Sequence, residues 1–137
     1  MPPDPVLDFA CRYTTAWCSQ DAGSVAAFYS PGGSLCINGG ARAVGRAAIT
    51  EAVQSFMTSF PDMRVLMDEV RVRSDCTEYH WTLTGTNTGP RGAGHRVHIS
   101  GYEQWQIAAD GLIGSSLGHF DDADYQRQLA CGAGEKG

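Results

Sequence analysis

The strongest structural signal in the sequence is the stretch Ile99-Ser-Gly-Tyr-Glu-Gln-Trp-Gln-Ile-Ala-Ala-Asp-Gly-Leu-Ile-Gly-Ser-Ser-Leu-Gly-His-Phe-Asp-Asp-Ala-Asp-Tyr-Gln-Arg-Gln-Leu129. Alternating apolar residues flank Asp110-Gly111, a dipeptide typical of tight hairpin turns because such turns need positive φ. The stretch therefore predicts a strand, a hairpin at residues 110–111 and a second strand. Asp121 or Asp122 then favours a short helix, since an aspartate side chain caps the first backbone N–H groups.

Helical periodicity dominates the first sixty residues. Pro5 after Asp4 combines a capping side chain with a residue suited to the first helical position. The apolar face of this first helix is predicted to consist of Val6, Ala10, Tyr13 and Trp17. Further helices are predicted over residues 24–29 and 45–60, with a short strand over residues 34–37 between them.

After Pro61 the periodicity changes from helical to alternating, which indicates strands. These strands are predicted over residues 63–73, 77–87 and 95–108. Asp68-Glu69 shifts the phase of the first of them. Helices followed by a strand meander predict one α+β domain over residues 1–137, with the helices packed on one face of a curved antiparallel sheet.

The composition is that of a single globular domain, with 137 residues, 42% of them hydrophobic and 18% charged. A net charge of -5 and scattered arginines argue against nucleic-acid binding, which needs clustered basic residues. No apolar run reaches the roughly 18 residues of a membrane span and no signal peptide is evident, so we expect a cytoplasmic protein without a membrane partner. Five cysteines without a C-x-x-C pair give little support to a zinc site; we expect buried, reduced thiols.

Four short phrases, in this order, resemble sequences of the SnoaL-like family within the NTF2-like superfamily. They are Phe28-Tyr-Ser-Pro-Gly-Gly33, Val44-Gly-Arg-Ala-Ala-Ile49, Trp81-Thr-Leu-Thr-Gly-Thr86 and Asp110-Gly-Leu-Ile113. The resemblance implies an NTF2-like cone, in which a curved mixed or antiparallel sheet and three to four helices enclose a pocket. It also implies a small-molecule ligand or substrate, no metal or organic cofactor, and a homodimer paired through the sheet.

Two positions resemble the active site of the ketosteroid isomerase of this superfamily. Tyr13 matches the helix tyrosine of its oxyanion hole, and Glu103 falls near its strand acid. The position of its general base holds Ile37, or Asn38 if the match shifts by one, and neither side chain accepts a proton at neutral pH.

The other enzymes of the superfamily match less well. His80, Thr82 and approximately Gly118 fall where a limonene epoxide hydrolase carries its arginine and acids, and none of them is a carboxylate. The segment 115–119 replaces the acid-bearing motif of the polyketide cyclases. The resemblance therefore predicts the position of the pocket better than the reaction.

Strand alternation singles out Glu103, which shares one face of its strand with apolar neighbours such as Ile99 and Trp105. A carboxylate on such a face loses hydration and its pKa should rise, which suits a general acid or a neutral hydrogen-bond donor. The alternative is a structural glutamate paired with an arginine or at a dimer face.

The remaining candidates each have two interpretations. His80 is a pocket base or an interface histidine, and Tyr13 is a donor into the pocket or a core residue. Trp17, Trp105 and Phe120 are core residues or apolar walls that contact the substrate. Thr82 and Ser116 are predicted to bind substrate through their hydroxyls.

The leading hypothesis is a cofactor-independent enzyme that performs cyclase- or isomerase-type acid–base chemistry on a hydrophobic, oxygenated small molecule such as a polyketide intermediate. His80 or Glu103 would move the proton while Tyr13 stabilises an enolate-like oxygen. The alternatives are a non-catalytic small-molecule-binding protein and a dimeric interaction module.

Overall fold

A computed structural model gives the fold and describes residues 5–89 and 92–132. The helices are α1 (Pro5–Cys18), α2 (Ala22–Ala26), α3 (Arg46–Ser59) and α4 (Asp122–Cys131). The strands are β1 (Tyr29–Ile37), β2 (Arg42–Val44), β3 (Arg64–Val72), β4 (Thr77–Thr86), β5 (Arg96–Ile107) and β6 (Ile113–Phe120). The predicted capping residue Asp4 lies outside the described residues, as do residues 90–91 of the loop between β4 and β5.

The strands form one curved, open sheet in the order β2-β1-β6-β5-β4-β3. Neighbouring strands are antiparallel except β1 and β6, which run parallel, so the sheet is mixed. The helices α1 and α3 pack against one face, called here the inner face, and the opposite face is called the outer face. This arrangement confirms the predicted α+β fold and NTF2-like cone.

The segment quoted first has the predicted structure. Gly111 has φ +81°, and its N–H donates to the carbonyl of Ala108 over 2.9 Å, which closes the turn between β5 and β6. At the end of β6, Asp121 Oδ1 accepts from the N–H of Asp124 over 3.0 Å and caps α4.

The prediction is wrong at the start of β1. The predicted helix over residues 24–29 ends at Ala26, and Tyr29 already begins the strand. Between Tyr29 and Ser34 the pairing with β6 shifts, because these six residues of β1 lie opposite only three of β6, from Ile113 to Ser115. This bulge accommodates Pro31, which has no N–H for a regular ladder.

A second bulge confirms the predicted irregularity in β3. The pairing with β4 shifts between Met67 and Glu69, so Asp68 has no partner in the ladder. Its carboxylate turns to the outer face and accepts a hydrogen bond of 2.6 Å from Thr82 Oγ1.

The core lies between the inner face and the two long helices. Its helical side comes from the buried residues Ala10, Tyr13, Ala16, Trp17, Ile49, Val53 and Met57. The predicted burial of the thiols holds only for Cys36, since Cys11, Cys18 and Cys131 are exposed. Cys11 is exposed because of helical periodicity, since it lies away from the face of Tyr13 that packs on the sheet. The Cys18 thiol instead lies against β3, where it donates to the carbonyl of Val65 over 3.3 Å.

Helix α4 covers an edge of β5 that β6 does not reach. Pairing between the two strands starts at Gly101, and Gln128 supplies the missing partner for His98. The Gln128 amide accepts from the N–H of His98 over 2.6 Å and donates to its carbonyl over 3.0 Å, as a neighbouring strand would.

The longest helices in the described residues have 14 residues, and none is long and apolar enough to cross a membrane.

Candidate active site

A cavity of about 50 Å³ lies between the inner face of the sheet and helices α1 and α3. Its walls are mainly apolar, and their aromatic part is formed by Trp17, Phe56, Tyr79, Trp81 and Phe120. Glu103 of β5 also lines the cavity and is only 7% exposed. The cavity therefore combines apolar walls with a buried carboxyl group.

One oxygen of Glu103 accepts three hydrogen bonds. Trp105 Nε1 donates to Oε1 over 2.8 Å, the Tyr13 hydroxyl over 2.9 Å and Ser116 Oγ over 3.2 Å. The other oxygen, Oε2, has no hydrogen-bond partner among the described residues. Glu103 is thus held firmly on one side, with its second oxygen available on the other.

A chain of hydroxyl groups supports this arrangement. Tyr13 and Tyr29 hydroxyls lie 2.9 Å apart, and because the Tyr13 proton goes to Glu103, Tyr29 must be the donor to Tyr13. Burial, and the charge that Glu103 would carry when ionised, hold the pKa of both tyrosines well above the usual range. Both phenols therefore stay neutral and serve as fixed donors.

Burial also raises the pKa of Glu103, and the hydrogen bonds from Trp105, Tyr13 and Ser116 offset part of that rise. The neutral carboxylic acid is therefore favoured relative to an exposed glutamate. Since Oε1 already accepts three hydrogen bonds, the proton of the neutral acid belongs on Oε2. The acidic O–H is then available on the side of Glu103 that the three donors leave free.

The donors themselves are fixed by packing. Trp105 is fully buried and stacks on Tyr79 with ring centroids 5.0 Å apart and an interplanar angle of 14°. The Tyr79 hydroxyl donates to Thr14 Oγ1 over 2.5 Å, because the Thr14 proton goes to the carbonyl of Ala10. Glu103 is therefore oriented by side chains that have little freedom of their own.

Trp81 contributes a second polar group to the cavity wall. Its Nε1 is buried and has no hydrogen-bond partner among the described residues. The indole packs edge-to-face against Phe120 with centroids 6.1 Å apart, and Gly101 lies opposite it on β5. A buried indole N–H normally has a partner, so this group is an exception that needs an explanation.

His80 and Thr82 lie on the outer face. His80 Nε2 is 3.1 Å from Glu78 Oε1, and its ring stacks on Tyr102 with centroids 5.2 Å apart. Thr82 donates to Asp68 and lies 2.7 Å from Ser100 Oγ. Neither side chain lines the cavity, because alternation on β4 directs Tyr79, Trp81 and Leu83 inward instead.

The structure thus divides the predicted site residues into three groups. Trp17, Glu103 and Phe120 line the cavity. Tyr13, Trp105 and Ser116 bind Glu103 without lining the cavity, and His80 and Thr82 lie on the outer face.

Sequence reasoning missed Phe56, Tyr79 and Trp81 as cavity residues and Tyr29 as a member of the hydroxyl chain. Strand alternation placed Tyr79 and Trp81 on a common face and gave no sign that this face is the inner one. The position that resembles a general base is apolar, since Ile37 lines the cavity. Asn38 instead accepts a backbone hydrogen bond from Phe120 over 2.9 Å.

Comparison with protein families identifies a SnoaL-like domain over residues 10–115. The chain belongs to the SnoaL-like family. Comparison with curated proteins returns no match.

Within the described residues of this SnoaL-like chain, no three His, Cys, Asp or Glu side chains are grouped so that they could hold a metal ion.

Solved structures share the fold at low sequence identity. A protein from Jannaschia sp. CCS1 assigned as a SnoaL-like polyketide cyclase is 15% identical, with TM-score 0.74, over 96% of this chain and 98% of that one. A Catenulispora acidiphila protein with a ketosteroid isomerase-like fold, in complex with trimethylamine, is 12% identical, with TM-score 0.79, over 98% and 100%. AclR of Streptomyces galilaeus, assigned as a hydroxylase, is 17% identical, with TM-score 0.74, over 90% and 80%.

Proposed function

We propose that this SnoaL-like chain binds a hydrophobic, oxygenated small molecule in its cone and catalyses a cofactor-independent acid–base step of the cyclase or isomerase type. The observation that carries the proposal is the asymmetry of Glu103. Three donors hold Oε1, while Oε2 has no partner among the described residues in a group that lines the cavity. Burial raises the pKa of Glu103 above its ordinary value, which favours the protonated acid over a pH range wider than that of an exposed glutamate.

In this mechanism the O–H of Glu103 Oε2 donates to a carbonyl oxygen of the substrate. A water molecule takes the proton from the α-carbon, and the negative charge that develops on the carbonyl oxygen strengthens its hydrogen bond to Glu103. The transition state is stabilised in this way while Glu103 keeps its proton. Tyr13, proposed from the sequence as the oxyanion donor, acts through Glu103 because its own proton is already committed to Oε1. We therefore assign Tyr13, Trp105 and Ser116 as positioning residues.

The cavity walls support an apolar ring compound as the substrate, because flat aromatic side chains pack well on flat rings. The volume of about 50 Å³ would hold only a few water molecules. A ring-sized substrate must therefore displace side chains, and Phe56 and Phe120 are suited to this because they are only half-buried. The similarity to a protein assigned as a polyketide cyclase supports polyketide intermediates as one substrate class.

A second candidate function is non-catalytic binding of the same class of molecule. One observation favours it: Glu103 is the only carboxyl group among the described residues that line the cavity. Acid–base enzymes commonly need a second group to take the proton. Ile37 and Gly118 stand at two positions that carry acids in related enzymes, and neither can take that role.

The experiment is a turnover assay with oxygenated ring compounds selected by binding to the wild-type protein. Glu103→Gln keeps an oxygen for the three donors and removes the acidic proton, so we expect turnover to fall by about a hundredfold or more. His80→Gln tests the proton donor proposed from the sequence, and we expect near wild-type turnover because His80 lies on the outer face.

Each outcome of this assay separates the candidates. Unchanged turnover by Glu103→Gln would exclude the proposed acid. A large loss in His80→Gln would favour the assignment from the sequence instead. Tight binding by the wild type without any turnover would favour the non-catalytic function.

Homodimerisation and a cytoplasmic location stay predictions. The outer face offers a surface for a second copy, because it carries Leu66, 57% exposed, and Leu117, 38% exposed. The same face carries a row of ring contacts, in which Tyr102 contacts both His80 and His119 with centroids 5.2 Å and 4.9 Å apart.

A further inference from the structure

Trp81 lines the cavity, and its indole N–H is a buried donor that has no hydrogen-bond partner among the described residues. Burying an unpaired donor costs free energy, about 1–3 kcal/mol on typical scales. Other buried polar side chains nearby are paired, since Tyr13, Trp105 and Ser116 all bind Glu103. The exception therefore points to a partner that is not part of the protein.

The position of Trp81 relates it directly to Glu103. Trp81 of β4 pairs with Gly101 of β5, and Glu103 lies two residues further along β5 on the same face. Diagonal neighbours of this kind are about 7–8 Å apart at the backbone, which is within reach of long side chains. One ligand in the cavity can therefore contact both side chains.

Gly101 sets the orientation of the indole. A Cβ atom at Gly101 would lie 2.8 Å from Trp81 Cζ2, so the ring rests on the space that this glycine leaves free. Cζ2 is bonded to the ring carbon that carries Nε1. The N–H edge of the indole is thus turned towards β5, the strand of Glu103.

We propose that Trp81 is a specificity-determining residue whose Nε1–H donates to an acceptor oxygen of the ligand, in the same cavity in which Glu103 Oε2 contacts the ligand. This inference rests on the proposed function. The N–H of Trp81 and the O–H of Glu103 are then both hydrogen-bond donors, so the ligand must offer an acceptor oxygen. The ligand class is therefore a cyclic ketone or a related carbonyl compound. A hydrocarbon of the same shape would leave both donors unpaired, and this would disfavour its binding.

The test compares two probes of the same shape, cyclohexanone and methylenecyclohexane, which differ only in C=O against C=CH₂. Binding is followed in ¹⁵N-labelled protein by the indole N–H signals of Trp17, Trp81 and Trp105, assigned by single Trp→Phe variants. We expect the wild type to prefer the ketone and the Trp81 signal to shift. In Trp81→Phe the preference for the ketone should fall by about five- to tenfold, as expected for one lost hydrogen bond.

Trp17→Phe is the matched control, because it makes the same change of ring in the same cavity wall. It should weaken both probes alike and leave their ratio unchanged. Trp81→Phe should fold as stably as Trp17→Phe, since its N–H has no protein partner to lose among the described residues.

The outcomes distinguish the two proposals. A ketone preference that persists in Trp81→Phe overturns the inference about Trp81 and leaves the proposed acid intact. A preference that falls in Trp81→Phe and persists in Glu103→Gln supports Trp81 and leaves the proposed acid intact as well, because the glutamine amide still donates a hydrogen bond. If neither probe shifts any indole signal of the wild type, or both bind equally well, both proposals are overturned.

Discussion

Glu103→Leu is expected to lower the free energy of unfolding by about 3 kcal/mol or more, because three donors lose their acceptor and each unpaired buried group costs about 1–3 kcal/mol. The donors are the side chains of Trp105, Tyr13 and Ser116, which all bind Oε1. Tyr13 has another partner at hand, the Tyr29 hydroxyl at 2.9 Å. Urea unfolding of the wild type and the variant measures the difference.

Glu103→Gln is the matched control, since its amide oxygen can accept the same three hydrogen bonds. We expect it to stay within about 1 kcal/mol of the wild type at low pH. Burial raises the folded-state pKa of Glu103 above its ordinary value of 4.5. The wild type therefore has extra stability below pH 4.5, which is lost as the pH rises through the folded-state pKa.

Glutamine has no such titration, so the stability of Glu103→Gln relative to the wild type should increase above pH 4.5. A leucine variant as stable as the glutamine variant would contradict the three-donor arrangement. A stability difference between the wild type and Glu103→Gln that is independent of pH would contradict the raised pKa.

Gly101→Ala is expected to lower the free energy of unfolding by about 3 kcal/mol, at the upper end of typical overpacking costs. A Cβ atom there would clash with the carbonyl oxygen of His119, and it would lie 2.8 Å from Trp81 Cζ2 and 3.0 Å from Phe120 Cβ. The first contact is with backbone in the β5–β6 pairing, so it cannot be relieved by a change of side-chain rotamer.

Gly118→Ala provides a control on the same inner face. Its nearest contacts would be ordinary ones, at 3.7 Å from the carbonyl oxygen of Cys36 and 3.8 Å from Ile37 Cγ1. We expect a change below about 1 kcal/mol, measured in the same urea titration. Equal effects of the two substitutions would show that the close approach at Gly101 does not determine stability.

The last third of the chain could be predicted because its signals are local. The turn at Asp110-Gly111 and the cap at Asp121 depend on residues within a few positions of one another. The start of β1 could not be predicted in this way. Its bulge at Pro31 forms only because β6, about 80 residues further along the chain, pairs with Tyr29 and Ser34.

Alternation identified the orientation of Glu103 and left the orientation of His80 open between a pocket and an interface. On β5 one face is apolar apart from Glu103, so its inward orientation follows from the sequence. On β4 both faces are partly buried, and Tyr79, Trp81, His80 and Thr82 are all candidates for a pocket. Only the packing of α1 and α3 determines that Tyr79 and Trp81 line the cavity.

The role of Tyr13 shows what a resemblance alone leaves open. Its position on α1 matched an oxyanion donor, and the structure brings it to Glu103 as that match implies. However, the Tyr13 hydroxyl donates to Oε1 of Glu103, and it is Glu103 rather than Tyr13 that lines the cavity. The unpaired N–H of Trp81 had no signal in the sequence at all, since hydrogen-bond partners depend on tertiary packing.

The most direct measurement is the titration of the Glu103 carboxyl carbon by ¹³C NMR, in protein labelled at glutamate, with Glu103→Gln used to assign the signal. A neutral acid in the wall of the cavity predicts a pKa clearly above the ordinary value of 4.5. A pKa at or below 4.5 would mean that Glu103 is a carboxylate near neutral pH, and this would contradict its assignment as the proton donor of this protein.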